Sequence, residues 1–165
     1  MTAVGSTIEH NKERVWQWFD HALAGELDKA MALHHDHCRF FVSGDMPYGG
    51  WMDKAAYMNQ TGVLQLAGPI TMRFGDITAE GDRVWLEADS EATLANGNAY
   101  QNHYVFLFRF DGGKIIELKE FVDTLHVYRV IDSQAVRGQP RPRDPFVTRP
   151  SKTLTSHWAQ KGSAD

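Results

Sequence analysis

Turn signals divide the second half of the chain into strand-like segments, and this pattern constrains the fold more than any other feature. The segments run over residues 70–77, 83–94, 100–110 and 114–130, and the turns between them are Ala79 to Asp82, Asn96-Gly97 and Asp111-Gly112-Gly113. Asn-Gly and Asp-Gly pairs favour tight hairpins because both residues tolerate a positive φ. Hairpins join antiparallel strands, so this half of the chain predicts an antiparallel meander.

The first half of the chain is helical by its periodicity. Apolar residues recur at helical spacing over residues 11–23, and a shorter helix follows over 27–33. Residues 38–43 form a predicted strand, 44–50 a loop, and Asp53 caps a third helix. Three helices before a meander predict an α+β fold, in which a curved antiparallel sheet wraps the helices.

Charge and hydropathy exclude two kinds of partner. The formal net charge is -4 and the pI is about 6.0, whereas a nucleic-acid binder normally carries a basic patch. No apolar run approaches the length of a membrane span, and residues 1–10 lack the apolar core of a secretion signal. We therefore expect no nucleic-acid partner, no membrane partner and a cytoplasmic location.

Composition also suggests three regions along the chain. We expect an N-terminal arm over residues 1–10, one domain over 11–132, and a C-terminal tail over 133–165 that is rich in Pro and Arg near its start. The tail is either extended along the surface or acts as a lid or subunit-swapping arm, with Phe146, Leu154 and Trp158 as its anchors.

Five short motifs follow one another along the chain. Each is a weak signal alone, but their order and spacing together are specific for a fold. They are Gly25-Glu26-Leu27-Asp28, Gly81-Asp82-Arg83-Val84, Asn96-Gly97, Tyr100 with Asn102 and Tyr104, and Asp111 to Ile115 leading to Glu120 to Thr124. With this set the chain resembles the NTF2-like superfamily, and within it the SnoaL-like and ketosteroid-isomerase-like group. The resemblance covers residues 11–130 and implies a cone-shaped half-barrel that encloses a pocket. It also implies a homo-oligomer, a dimer or trimer, formed through the sheet.

The ketosteroid isomerases of this superfamily use a phenol on the first helix, a carboxylate base on the first strand and a second oxyanion donor. By the resemblance these positions fall on Trp18, Val42 and Phe106, which are all apolar here. The ketosteroid mechanism is therefore not expected at those positions, because none of these side chains transfers a proton. Other members of the superfamily are dehydratases, hydrolases, cyclases, lyases and non-catalytic binding domains.

Strand alternation predicts which side chains share a face of the sheet. A two-residue Asn96-Gly97 turn pairs Glu87 with Phe106 and Trp85 with Phe108, and a three-residue turn at 111–113 pairs Tyr104 with Glu120. The resemblance to the superfamily implies that Phe106 faces the pocket, and the same face then carries Trp85, Glu87, Asp89, Asn102, Tyr104, Phe106, Leu118, Glu120 and Val122. His103 and Ser90 fall on the opposite face. A register error of one residue would exchange the two faces.

Carboxylates beside a phenol on an aromatic face suit acid/base catalysis, because burial raises the pKa of a carboxyl. We predict Tyr104 as a proton donor and Glu120, Glu87 or Asp89 as a base. Solvation at the sheet rim is the alternative for these carboxylates, and we favour it for Asp89. Further candidates are His103, otherwise an interface histidine, Asp45 in the loop after the first strand, and Tyr57 on the third helix. Predicted substrate-binding residues are Trp18, Phe40, Val42, Trp85, Asn102, Phe106, Leu118 and Val122.

Metal and thiol chemistry are disfavoured. Residues 34–37 read His-His-Asp-His, but three ligands within four residues fit one tetrahedral site poorly, so we favour a solvated junction between helix and strand. Cys38, the only cysteine, is either a reactive thiol or a small apolar residue that opens a strand, and we favour the second. Phosphate-binding and dinucleotide-binding motifs are missing from the sequence, so we expect no cofactor and no metal.

These observations predict a cofactor-independent lyase that acts by acid/base elimination on a small hydrophobic aromatic substrate. The chain is similar to the sphingomonad lyases that release formaldehyde from lignin-derived diarylpropane diols. Two alternatives stay open: an isomerase, dehydratase or cyclase acting on a polycyclic ketone, and a non-catalytic module that binds a small ligand.

Overall fold

Four helices and seven strands make up the part of the chain that the computed structural model describes, which is residues 3–46, 48–60, 63–131 and 151–156. In chain order they are α1 (Ala3–Leu23), α2 (Leu27–Ala32), β1 (His34–Val42), β2 (Gly50–Met52), α3 (Lys54–Gln60), β3 (Thr71–Glu80), β4 (Arg83–Thr93), β5 (Ala99–Asp111), β6 (Lys114–Val122), α4 (Thr124–Ile131) and β7 (Lys152–Thr155). This order of elements confirms the predicted α+β class.

The strands form one sheet in the order β2-β1-β6-β5-β4-β3-β7. Its pairs are antiparallel except β1 with β6, which is parallel. Irregularities in the β3–β4 and β5–β6 registers bend the strands, because a bulge adds a residue to one side of a pair. We call the face that carries Phe106, Phe108 and Leu118 the inner face, and the opposite face the outer face.

Helix α1 covers the inner face with an aromatic stripe. Phe19 contacts Phe74, Phe106 and Phe108 at ring centroid distances of 4.6, 5.0 and 6.0 Å, and Trp18 contacts Phe108 at 5.7 Å. All five rings are buried. Aromatic burial of this extent, with mostly edge-to-face contacts, contributes strongly to the core.

The β4–β5 hairpin turns over three residues rather than two, which makes the predicted register wrong by one. Leu94 N donates to Asn98 O at 2.9 Å, so residues 95–97 form the loop, and Gly97 has a φ of 83°. Ser90 now pairs with Asn102 and Leu86 with Phe106. Because side chains alternate along a strand, this shift moves Trp85, Glu87 and Asp89 from the predicted inner face to the outer face.

The β5–β6 hairpin also differs, but without changing the faces. Asp111 pairs with Lys114, and an irregularity between Arg109 and Phe110 leaves Tyr104 opposite Val122 and Phe106 opposite Glu120. The predicted pairing was off by two residues, an even number. The prediction that Glu120 and Tyr104 share a face is therefore confirmed.

Three predicted boundaries were wrong. Helix α1 begins at Ala3, so most of the expected N-terminal arm is helical, and β1 begins at His34 rather than at Cys38. The predicted strand over 114–130 ends at Val122 and is followed by α4. Asp123 stops the strand because its Oδ1 accepts the backbone N–H of His126 at 3.0 Å, which caps the helix.

The described part of the C-terminal region adds an edge strand to the sheet. Strand β7 pairs with β3, and Leu154 lies opposite Met72. Lys152 Nζ contacts Asp20 Oδ1 of α1 at 2.7 Å, and Ser156 is buried. Phe146 and Trp158, the other proposed anchors, lie outside the described residues. Within the described ranges, no helix has both the length and the hydropathy needed to cross a membrane.

Candidate active site

Tyr57 and Glu120 meet at the inner face although 63 positions separate them in the sequence. Asp53 starts α3 by accepting the Ala56 N–H at 2.8 Å, which places Tyr57 one turn into the helix. The Tyr57 ring stacks on Phe40 at a centroid distance of 4.1 Å and an interplanar angle of 13°. Its hydroxyl then donates to Glu120 Oε1 at 2.5 Å.

Glu120 is a carboxyl in an apolar setting. Burial raises its pKa above the ordinary value of 4.5, and the hydrogen bond from Tyr57 opposes that rise. Burial also raises the pKa of Tyr57 well above 10, and the charge of Glu120 adds to this effect. Tyr57 is consequently a neutral hydrogen-bond donor that holds the carboxylate in place.

A second pair of phenols lies on the same face. Tyr100 and Tyr104 share a hydrogen bond between their hydroxyls, and the Tyr104 ring stacks on Phe106 at 5.1 Å. Burial raises the pKa of Tyr100 to about 12 and that of Tyr104 well above 10. The charge of Glu120 contributes to both rises, so these phenols lie within electrostatic reach of the carboxylate. Both are proton donors at neutral pH.

Asn102 supports these phenols from the buried side. Its Nδ2 donates to the Tyr100 hydroxyl at 3.2 Å, and its Oδ1 accepts the backbone N–H of His103 at 2.8 Å and of Asp123 at 2.9 Å. The Asn102 side chain, predicted to bind substrate, is thus hydrogen-bonded to three protein groups.

Other polar atoms on this side of the sheet are buried without a hydrogen bond. Among the described residues these are Trp18 Nε1, Ser90 Oγ and both ring nitrogens of His34. Ser90 is close enough to Tyr104 to lower the pKa of the phenol, against the larger rise caused by burial, yet its Oγ makes no hydrogen bond of normal geometry. Unpaired buried polar atoms are costly, so such groups commonly bind water or a ligand.

His34 corrects the prediction of a solvated junction at residues 34–37. His35, Asp36 and His37 are exposed, but His34 is 3% exposed and lies against Trp18 and Phe40 at 6.2 and 5.0 Å. Burial, aided by the charge of Lys54, lowers the pKa of His34 to about 4. The ring is neutral at physiological pH.

Other predicted binding residues form an apolar wall beside the phenols. Phe40, Phe106 and Leu118 are buried, Trp18 lies at the α1 end of this wall, and Val42 and Val122 are partly buried. Val42 pairs directly with Glu120 across the parallel strands, and Val122 pairs with Tyr104. These six residues share the inner side of the sheet with Glu120.

Four predicted site residues lie elsewhere. Trp85 is 41% exposed and Glu87 is exposed, both on the outer face. His103 is also on the outer face, as predicted, but its Nδ1 contacts Asp89 Oδ1 at 3.1 Å, whereas Ser90 was expected beside it. Asp45 is exposed in the bend after β1.

Sequence reasoning missed Tyr100, although a usable signal was present. Tyr100, Asn102 and Tyr104 alternate along one strand, so they share a face once any one of them is placed. Burial of His34 had no comparable signal, because a polar residue at the end of a strand is ordinarily exposed.

Two predictions concerned metal ligands and the thiol of Cys38, and the described part of the chain bears on both. It contains no group of three His, Cys, Asp or Glu side chains that could hold a metal ion. Cys38 is buried, and burial raises the pKa of its thiol to about 12, which agrees with the interpretation as a small apolar residue. The chemistry available at the inner face is proton transfer: a carboxylate base and phenol donors beside aromatic rings.

Comparisons with known proteins establish the fold. Residues 15–118 match the family model described as SnoaL-like domain. An NTF2-like protein of unknown function from Burkholderia pseudomallei has a TM-score of 0.67 at 19% identity, covering 74% of this chain and 98% of its own. A putative SnoaL-like polyketide cyclase from Jannaschia has a TM-score of 0.64 at 21% identity, covering 81% and 96%.

A putative hydroxylase from Streptomyces galilaeus, AclR, has a TM-score of 0.65 at 15% identity and covers 81% of this chain and 87% of its own. No curated protein matches the sequence. At these identities the structures show a shared fold, so the predicted NTF2-like architecture is confirmed.

Proposed function

Because this chain belongs to the SnoaL-like domain family, we propose that it is an enzyme that moves protons, without a cofactor, on a small hydrophobic aromatic substrate. One observation carries the proposal: the Glu120 carboxylate is held by Tyr57 at 2.5 Å beside an aromatic wall, and the Tyr104 phenol lies on the same face. A base and a proton donor on one apolar face are the minimum that acid/base catalysis requires.

Glu120 is the proposed base. A carboxyl whose pKa is raised by burial is a stronger base when ionised, and its working range moves toward neutral pH. Tyr104 is the proposed acid, since its raised pKa keeps it protonated. Tyr57 orients Glu120, and the partly buried Val42 and Val122 contact the rings of the substrate, because Trp18, Phe40, Phe106 and Leu118 are at most 6% exposed and form the packed wall behind them.

The reaction that we favour is elimination by a lyase, and its specific form is deformylation of a lignin-derived diarylpropane diol. Tyr104 protonates the benzylic hydroxyl, which leaves as water and produces a quinone methide from a ring whose para hydroxyl is ionised. Glu120 removes the proton of the terminal hydroxyl. The adjacent carbon–carbon bond then breaks, its electron pair reduces the quinone methide, and the products are a stilbene, formaldehyde and water.

An isomerase, dehydratase or cyclase acting on a polycyclic ketone is the second candidate. The same groups would serve it, with Glu120 removing a proton beside a carbonyl and Tyr104 stabilising the enolate oxygen. The similarity to the putative polyketide cyclase from Jannaschia favours this alternative. A ligand-binding module without turnover is the third.

Incubation with a para-hydroxylated diarylpropane diol distinguishes these candidates. Equal amounts of formaldehyde and stilbene, lost in Glu120→Gln, are the expected result. Binding without release of formaldehyde would reject the lyase. In that case, exchange of deuterium from solvent into a bound polycyclic ketone identifies the second candidate, and its absence leaves the binding module.

A further inference from the structure

Hydrogen bonds hold the Asn102 side chain in one orientation. Its Oδ1 accepts two backbone N–H groups, those of His103 at 2.8 Å and Asp123 at 2.9 Å. Only the oxygen of an amide accepts, so the nitrogen must face the other way. There, Nδ2 donates to the Tyr100 hydroxyl at 3.2 Å.

This orientation determines where the Tyr100 proton goes. A phenol oxygen accepts hydrogen bonds but has a single proton to donate, and Asn102 can only donate to it. Tyr100 is 1% exposed, and Tyr104 is its only other hydrogen-bond partner within the described residues. A buried donor without an acceptor costs about 1–3 kcal/mol, so the Tyr100 proton points at the Tyr104 oxygen.

The Tyr104 proton is therefore left for another acceptor. Tyr104 already accepts from Tyr100, and the nearby Ser90 Oγ makes no hydrogen bond of normal geometry to it. Tyr104 lies on the inner face, opposite Val122 and two residue pairs along the strands from Phe106 and Glu120. An oxygen of a molecule bound at this face would receive the proton.

We propose that Asn102 is a positioning residue that orders the chain Asn102–Tyr100–Tyr104, so that Tyr104 donates to a substrate oxygen. The acceptor class is a hydroxyl that leaves or a carbonyl that gains negative charge. The kinetic consequence rests on the proposed function, whereas the direction of the hydrogen bonds does not.

Asn102→Asp tests this direction with little change of shape. One carboxylate oxygen keeps the bonds from His103 and Asp123, but the other accepts where Nδ2 donated. Tyr100 must then donate to Asp at position 102 and accept from Tyr104, which reverses the chain. Gln101→Glu is the matched control, because it makes the same chemical change one residue earlier, without a contact to the Tyr100 hydroxyl.

NMR of protein carrying ¹³C-labelled tyrosine reads the direction without a substrate. The scalar coupling of the shared hydroxyl proton to a Cζ carbon shows which tyrosine carries that proton; Tyr100→Phe and Tyr104→Phe assign the signals. We expect the shared proton on Tyr100 in the wild type and in Gln101→Glu. In Asn102→Asp, at a pH that ionises the new carboxyl, we expect it on Tyr104. A shared proton on Tyr104 in the wild type would overturn the inference even if Asn102→Asp does not fold.

Kinetics then test the consequence. In Asn102→Asp we expect kcat to fall about 100-fold with little change in KM, because the donor is lost and binding is retained. A reversed chain with kcat unchanged would overturn the positioning role and leave the proposed function intact. If the wild type turns over no substrate, the proposed function fails, and the NMR result still decides the direction of the chain.

Discussion

Tyr57→Phe removes one hydroxyl and keeps the ring, so it isolates the hydrogen bond to Glu120. The stacking on Phe40 at 4.1 Å is retained. A hydrogen bond to a charged group contributes about 1.5–3 kcal/mol, and partial exposure of both side chains places the loss near the lower end, about 1.5–2 kcal/mol. For a chain of this size that lowers Tm by about 3–8 °C.

The free energy of unfolding that Tyr57→Phe loses depends on pH, and the structure determines the direction of that dependence. Burial raises the pKa of Glu120 above 4.5, so its contribution to stability is present below that pH and falls as pH rises toward the folded pKa. Tyr57 lowers this pKa, and its removal raises it further. Tyr57→Phe should therefore be destabilised more near neutral pH than near pH 4, and the acidic limb of its kcat/KM profile should move to higher pH.

Chemical denaturation at both pH values, together with the pH profile, measures these effects. Tyr128→Phe is the control, since it loses a hydroxyl from a side chain that is 47% exposed, and its stability should match the wild type at either pH. A destabilisation of Tyr57→Phe that is equal at both pH values, or larger in acid, would refute the reasoning about Glu120.

Four further outcomes are expected. Glu120→Gln should lower kcat by roughly 10²–10⁴-fold while ligand binding measured by calorimetry persists; unchanged kcat would exclude it as the base. Glu87→Gln should leave kcat unchanged, because this carboxylate lies on the outer face, and a large loss would contradict that placement. His34 has a pKa lowered to about 4, so stability falls by up to about 3 kcal/mol between pH 6.5 and 4; His34→Leu should flatten that fall in denaturation curves. We expect a homo-oligomer formed through the outer face, and light scattering should show Phe121→Asp, at an exposed ring of that face, shifted toward monomer; a monomeric wild type would contradict this expectation.

The sequence predicted most elements because their signals are local. Helical spacing, glycine turns and alternation identified α1 to α3 and β3 to β6, and an even register error left Tyr104 and Glu120 on one face. Helix α4 was missed because Val127 and Val130 are β-branched and suit a strand equally well. The cap at Asp123 was the opposing signal.

The face of the sheet that was predicted for Trp85 and Glu87 was wrong, because local sequence signals do not determine the strand register. Asn96-Gly97 suits both a two-residue and a three-residue hairpin, and the choice between them reverses the whole of β4. Packing made that choice, because the observed register buries Val84, Leu86 and Ala88 beneath α1, whereas the predicted one would have placed the carboxylate of Glu87 there.

By itself the sequence determined the class of the fold, the order of its elements and the proton-transferring residue types on β5 and β6. Only the tertiary structure decided which of them meet: Tyr57 with Glu120, Tyr100 with Tyr104, and Asp89 with His103 on the opposite side. The reason is physical. Propensity and turn chemistry act over a few residues, whereas register and pairing depend on which side chains the completed core can bury.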